Sequence, residues 1–196
     1  MNKLIDTAQS RLYSVEQGHG DYSDNEPLII SRHSARLWLV DLNLISHTQQ
    51  PHTLLTVNGP VETIVKSVRS PNINKSGQST GPADNISFEN GTLVTNLRAF
   101  ISTHAIRTNS DFLISDDNII GVDYSSSNSA TPANLAGVHV PTLFMSMTAH
   151  YWVVPNEINY NYSASSDKTL VYVEGATHGL APSKPKTITI TWRFWT

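Results

Sequence analysis

Four side chains in this sequence stand in settings that suit moving a proton or attacking a carbonyl: His178, Ser79, Asp123 and Glu157. His178 stands in Gly175-Ala176-Thr177-His178-Gly179, just after the apolar run Leu170-Val171-Tyr172-Val173. Histidine titrates near neutrality, so it can take a proton and return it within one cycle. The glycines beside it keep the loop open for the ring. Gly77-Gln78-Ser79-Thr80-Gly81 matches G-x-S-x-G letter for letter. That motif has mechanical meaning only as a sharp turn between a buried strand and a helix. Here Ser70-Pro71-Asn72-Ile73 precedes it and Pro82-Ala83-Asp84-Asn85 follows, neither of which supplies those neighbours. A Ser/Gly-rich loop produces such a match by composition alone. Asp123 closes Ile119-Ile120-Gly121-Val122 and reads equally as a turn-capping residue. Glu157, in Val154-Pro155-Asn156-Glu157, reads equally as an acid in a helix's first turn, where the dipole favours it.

Weaker constellations surround these. His47 and His52 flank Gln49-Gln50-Pro51, but the proline breaks any shared helical face and no third metal ligand is evident. Asp111 and Asp116-Asp117 read as a solvated acidic loop. Tyr151, Trp152, Tyr160, Tyr162 and Tyr172 read as packing, or as an aromatic wall for an acyl or aryl group. No phosphate loop or dinucleotide fingerprint is present, and no cofactor or metal is expected.

Val140-Pro141-Thr142-Leu143 opening a strand, followed by a loop, a helix, a second apolar strand and Gly-Ala-Thr-His-Gly, resembles the C-terminal part of an α/β-hydrolase of the esterase or lipase kind. The resemblance covers residues 133–180, about a quarter of the chain. It implies ester or related acyl hydrolysis, with His178 as general base and Asp123 or Glu157 orienting it. Where the family places its aspartate, this chain has Met147-Thr148-Ala149-His150-Tyr151, so the usual acid is missing. The order Ser79, Asp123, His178 is the family's order. Yet no run of β-α-β units precedes Ser79, and a glycine-rich oxyanion loop is absent. The expectation is therefore a hydrolase-like fragment with its nucleophile-bearing half elsewhere and little activity alone. Two alternatives stand beside it. One is an inactive remnant or interaction module associating through an exposed sheet edge. The other is a small secreted β-rich binding domain.

The elements that must position these residues are partly visible. Leu4, Ile5, Ala8 and Leu12 predict an amphipathic helix over 2–17. Pro27 to Ser31 reads as extended. Ala35 to Ile45 is apolar and ambiguous between strand and helix. Thr53 to Val57, then Asn58-Gly59-Pro60, then Val61 to Val68, predicts a hairpin. Residues 70–90 read as a loop or excursion. Thr92 to Ile106 is expected to be helical, Asp111 to Val122 to hold a short strand or turn, and Ala133 to Gly137 to be a short helix ending on glycine. The tail Thr187-Ile188-Thr189-Ile190-Thr191-Trp192-Arg193-Phe194-Trp195 alternates like a strand, not like the closing helix of a hydrolase.

The predicted fold class is α/β: a partial, hydrolase-like parallel sheet with flanking helices and an irregular or cap-like N-terminal region. Residues 1–132 form the cap-like or mid-domain region and 133–196 the strand-helix-strand unit, in one domain or a fragment of one. The 196 residues, 39% hydrophobic and 15% charged, can bury a sizeable core. A net charge of -3 argues against nucleic acid or an anionic membrane as partner. Self-association and a small ester or acyl substrate are the expected partners. No cysteine is present, which excludes disulfides and thiolate metal sites. No apolar run reaches the roughly 18 residues that span a bilayer. Behind the N-terminal Lys3 there is no apolar core of a signal peptide.

Overall fold

A computed structural model of the chain describes residues 2–19, 27–31, 43–68, 92–149 and 152–176. It is an α/β structure built on a mixed four-stranded sheet. The strands run β3-β2-β8-β7, with β2 (His47–Thr56), β3 (Gly59–Lys66), β7 (Thr142–Met147) and β8 (Lys168–Val173). β7 and β8 are parallel neighbours in continuous register from Thr142↔Lys168 to Met147↔Val173. Parallel neighbours need a crossover, and α4 (Val153–Tyr162) supplies it. β2 adds in parallel to the other side of β8, at Thr53↔Val171 to Leu55↔Val173. The sheet therefore draws strands from both halves of the sequence.

Side-chain alternation sorts the sheet into two faces. Leu54, Phe144, Leu170 and Tyr172 meet Val153 and Tyr160 of α4, with Val65 of β3 in the same cluster. Leu55, Met145, Met147 and Val173 point the other way and pack with Trp152 and Ala176. Each fully buried aliphatic side chain contributes about 1.5–3 kcal/mol.

Helix α4 is buried on more than its sheet side. Val154 and Ile158 pack with Ile45, with Ile114 and Ile119 of a separate hairpin, β5 (Arg107–Ile114) and β6 (Ile119–Asp123), and with Tyr124 just after it. Pro155 is tolerated because it lies in the helix's first turn, where backbone N–H groups lack partners anyway. Ile45 is the one described non-glycine residue at positive φ, 46°. That strain, about 1–3 kcal/mol, is offset by the comparable gain of burying its side chain completely.

The β2–β3 ribbon has a pronounced bulge. His47 pairs with Lys66 and Pro51 with Ile64, so three residues of β2 face one of β3. A bulge bends a ribbon, and beyond the bend Val68 N donates to Thr148 O at 2.7 Å, in the loop after β7. The hairpin turn holds Val57 and Asn58, neither at positive φ, with Gly59 following at 113°. The predicted hairpin is present, but its glycine sits just after the two-residue loop rather than inside it.

The remaining elements form a satellite core. Ile5 and Ala8 of α1 (Asn2–Glu16) pack against Leu97 and Phe100 of α2 (Leu97–Thr103) and against Ala105. The expected helix over 92–106 is corrected here. Thr92–Thr95 is strand β4, paired antiparallel with β1 (Leu28–Ser31), and the helix starts only after Asn96. Asn96 ends the extended segment by capping, its Oδ1 accepting from Ala99 N at 2.8 Å. A short helix α3 (Thr131–Leu135) precedes β7, where one was expected. Among the described residues no helix is long and apolar enough to cross a membrane.

Candidate functional site

The C-terminal rim of β7 and β8 is the place the sequence singles out. Beyond β8 the chain turns at Gly175, whose φ is 67°. Thr148 fastens that turn: its N–H donates to Val173 O at 3.2 Å and its Oγ1 accepts from Gly175 N at 2.8 Å. Ala149 N then donates to Ala176 O at 2.9 Å. Leu55 O accepts from Glu174 N at 3.1 Å, so the turn is tied to β2 as well. The chain is thus held at the rim up to Ala176, two residues before His178. His178 itself lies outside the described residues, as do Ser79, His150, Tyr151, the 70–90 segment and the alternating tail. In open α/β sheets this rim is where ligands bind.

The two candidate carboxylates stand elsewhere. Asp123 ends β6 and caps a 3-10 turn, Oδ1 accepting from Ser125 N at 3.1 Å and from Ser125 Oγ at 2.6 Å. The turn-capping reading of Asp123 is thus realised. Its neighbour Tyr124 packs edge-on against Tyr162, the last residue of α4, at 5.3 Å. The rim lies at the opposite end of that helix, roughly 15 Å away at about 1.5 Å per residue. The structure does not bring Asp123 to the rim.

Glu157 is the fifth residue of α4, not in its first turn, and its side chain is only 2% exposed. Oε2 accepts from Gln49 N at 2.8 Å and Oε1 from Gln50 N at 3.1 Å. These are the backbone donors that the β2 bulge turns away from β3. Oε1 also meets His52 Nε2 at 2.8 Å, and His52 is itself buried. The carboxylate fills the bulge as a strand partner would. Two backbone N–H groups donate to it, and as a carboxylate, which only accepts, it takes its third contact from the His52 ring.

The His52–Glu157 pair is the one His–carboxylate contact the described structure buries, and sequence reasoning missed it. Pro51 excludes a shared helical face for His47 and His52, but His52 lies on a strand, where that exclusion does not apply. One signal was available. Glu157 shares its helix face with Val153, Val154 and Ile158, and a charged residue on an apolar face requires a partner. The ring of His52 meets Tyr160 edge-on at 5.5 Å and lies 6.0 Å from Tyr172. Burial, and then the Glu157 charge, push the Tyr172 phenol far above its ordinary value. The phenol stays neutral and donates to Val153 O at 2.8 Å.

The described aromatic residues do not form one wall. Tyr172 lies under α4 with Tyr160 of that helix beside it, Tyr162 faces Tyr124, and Trp152 packs at the rim with Met147 and Val173. His47 contacts Asp116 at 3.5 Å on the partly exposed side. Among the described residues no group of three or more His, Cys, Asp or Glu could hold a metal ion. Compared with protein-family models, with curated proteins and with solved structures, the chain has no match.

Proposed function

We propose that this chain is an α/β-hydrolase-like protein acting on esters or related acyl compounds, with His178 as its general base. One observation carries the reading. The turn after β8 is stitched to the loop after β7 by Thr148 and Ala149, so the chain departs toward His178 from the C-terminal rim of a parallel strand pair. Neither Glu157 nor Asp123 is free there, since Glu157 is committed to the bulge and Asp123 to its turn. The base accordingly works without an orienting acid from these two, and since the sequence around Ser79 lacks the strand and helix of a nucleophile turn, the nucleophile lies outside this chain. Weak turnover is the consequence, because base and nucleophile act as a unit.

The test is hydrolysis of p-nitrophenyl acetate by the wild type, His178→Ala and Ser79→Ala. Slow turnover above buffer is expected, lost in His178→Ala and unchanged in Ser79→Ala. Equal rates for wild type and His178→Ala would end the reading. Robust turnover that disappears in Ser79→Ala would restore Ser79 as the nucleophile.

A second reading, an interaction module that pairs through a sheet edge, has its own observation. Among the described residues β7 ends the sheet with no charge between Thr142 and Met147, and Leu143 is 57% exposed. The other edge, β3, carries Pro60, Glu62 and Lys66, residues that discourage pairing. Concentration-dependent association in light scattering, weakened by Leu143→Lys, supports it. A monomer at all concentrations removes it.

A further inference from the structure

We propose that His52 is a second, independent histidine site, with Nδ1 open to accept a hydrogen bond, and then a proton, from the hydroxyl of an uncharged alcohol or phenol. Glu157 orients the His52 ring. With Glu157 as a carboxylate, which only accepts, the 2.8 Å contact with His52 Nε2 has the imidazole as donor. In the neutral ring the single proton then sits on Nε2, and Nδ1 carries a lone pair. That nitrogen has no hydrogen-bond partner among the described residues, although the side chain is only 9% exposed. Most buried polar atoms are satisfied, and an exception calls for an occupant or a task. A carboxylate behind a histidine whose other nitrogen is free is also the arrangement that orients a base and stabilises the imidazolium it becomes.

The surroundings select the ligand. Glu157 places a negative charge behind the ring, which disfavours an anion. Among the described residues no group of three or more His, Cys, Asp or Glu could hold a metal. The Tyr160 edge and the Tyr172 ring present aromatic surface beside the imidazole. Thr63 is the residue directly opposite His52 in the β2–β3 ladder, and its half-buried hydroxyl makes only a 3.4 Å contact to Ile64 O. A small hydroxyl compound with an apolar body fits these neighbours. Within that hydrogen bond the hydroxyl proton can pass to Nδ1 and back, the imidazolium being held against the Glu157 carboxylate while the hydroxyl oxygen carries the charge. This inference does not rest on the acyl-hydrolase reading and makes no use of His178.

The experiment uses the folded full chain and diethyl pyrocarbonate, with peptide mass spectrometry to locate the modified histidines. The imidazole lone pair attacks the reagent's carbonyl carbon. Ethyl carbonate leaves with the ring's remaining proton and breaks down to ethanol and carbon dioxide. His52 is expected to be modified in the folded protein, and phenol is expected to slow that reaction at least threefold while leaving exposed His104 unchanged. A histidine that only stitches the core would stay unmodified while His104 reacts, and that result overturns the proposal, as does modification that phenol leaves unchanged. Long-range proton–nitrogen spectra of the unmodified protein give an independent check. A bare Nδ1 is expected, and a proton found there would be equally fatal.

Discussion

Replacing Glu157 with alanine tests how the sheet and α4 are joined. The change removes a carboxylate that is 2% exposed and leaves three donors behind: Gln49 N, Gln50 N and His52 Nε2. A buried donor left without a partner costs about 1–3 kcal/mol. The side chains of Gln49 and Gln50 are exposed, so water can reach their N–H groups and those two costs fall at the low end. The total then comes to about 3–5 kcal/mol, the range for breaking a buried charged pair from one side. Against a folding stability of about 5–15 kcal/mol, this is a large fraction. With a urea slope of about 2–3 kcal/mol/M for a chain of this size, the midpoint should fall by about 1–2 M. The assay is urea unfolding followed by tryptophan fluorescence on wild type, Glu157→Ala, His52→Ala and the double variant. The two single effects should overlap by about 1.5–3 kcal/mol, the worth of a hydrogen bond to a charged group. A loss below about 1 kcal/mol for Glu157→Ala, or effects additive to within about 0.5 kcal/mol, would refute the reasoning.

Three further outcomes are expected. Tyr172 is held neutral by burial and the Glu157 charge, whereas the unfolded chain ionises it near the ordinary value of 10.0. The folded state then binds more protons in alkali, so stability is intact below about pH 10 and falls as pH rises above it. Thermal melts from pH 8 to 12 should show this loss and Tyr172→Phe should reduce it, at a cost of about 0.5–1.5 kcal/mol for the bond to Val153 O; an equal alkaline slope in the variant would contradict the assignment. Gly121→Ala should destabilise by more than the 1–3 kcal/mol of backbone strain alone, because at φ 69° its Cβ would lie 2.5 Å from Phe112 N. Gly59→Ala, also at positive φ but with nothing within 4 Å, should cost less, and melting temperatures of the two variants compare them directly. Lys168 Nζ donates to Tyr160 O and Ser163 O at 2.8 Å each, at the C-terminal end of α4. Lys168→Ala should therefore lower stability by about 1 kcal/mol, readable in the same urea titration; an unchanged midpoint would remove that role.

Local pattern by itself determined a good deal of this protein. The spacing of Leu4, Ile5, Ala8 and Leu12 marks α1, and the apolar runs around Phe144 and Tyr172 mark β7 and β8. Pattern also gave the β2–β3 hairpin, because two-residue turns and alternation are short-range properties. It misjudged Thr92 to Thr95, where apolar residues suit a helix and a strand alike until pairing with β1 decides. It read Glu157 as a first-turn acid because helix starts are hard to place from periodicity. What only the tertiary structure decided was the company each polar residue keeps. His52 and Glu157 are 105 positions apart and meet because a bulge in β2 presents its N–H groups to the buried face of α4. Asp123 is carried to the far end of the same helix by a hairpin packed on its other side. Residue type and near neighbours limit what a side chain can do. Which donor it meets across the core depends on long-range packing, and a linear pattern does not encode that distance.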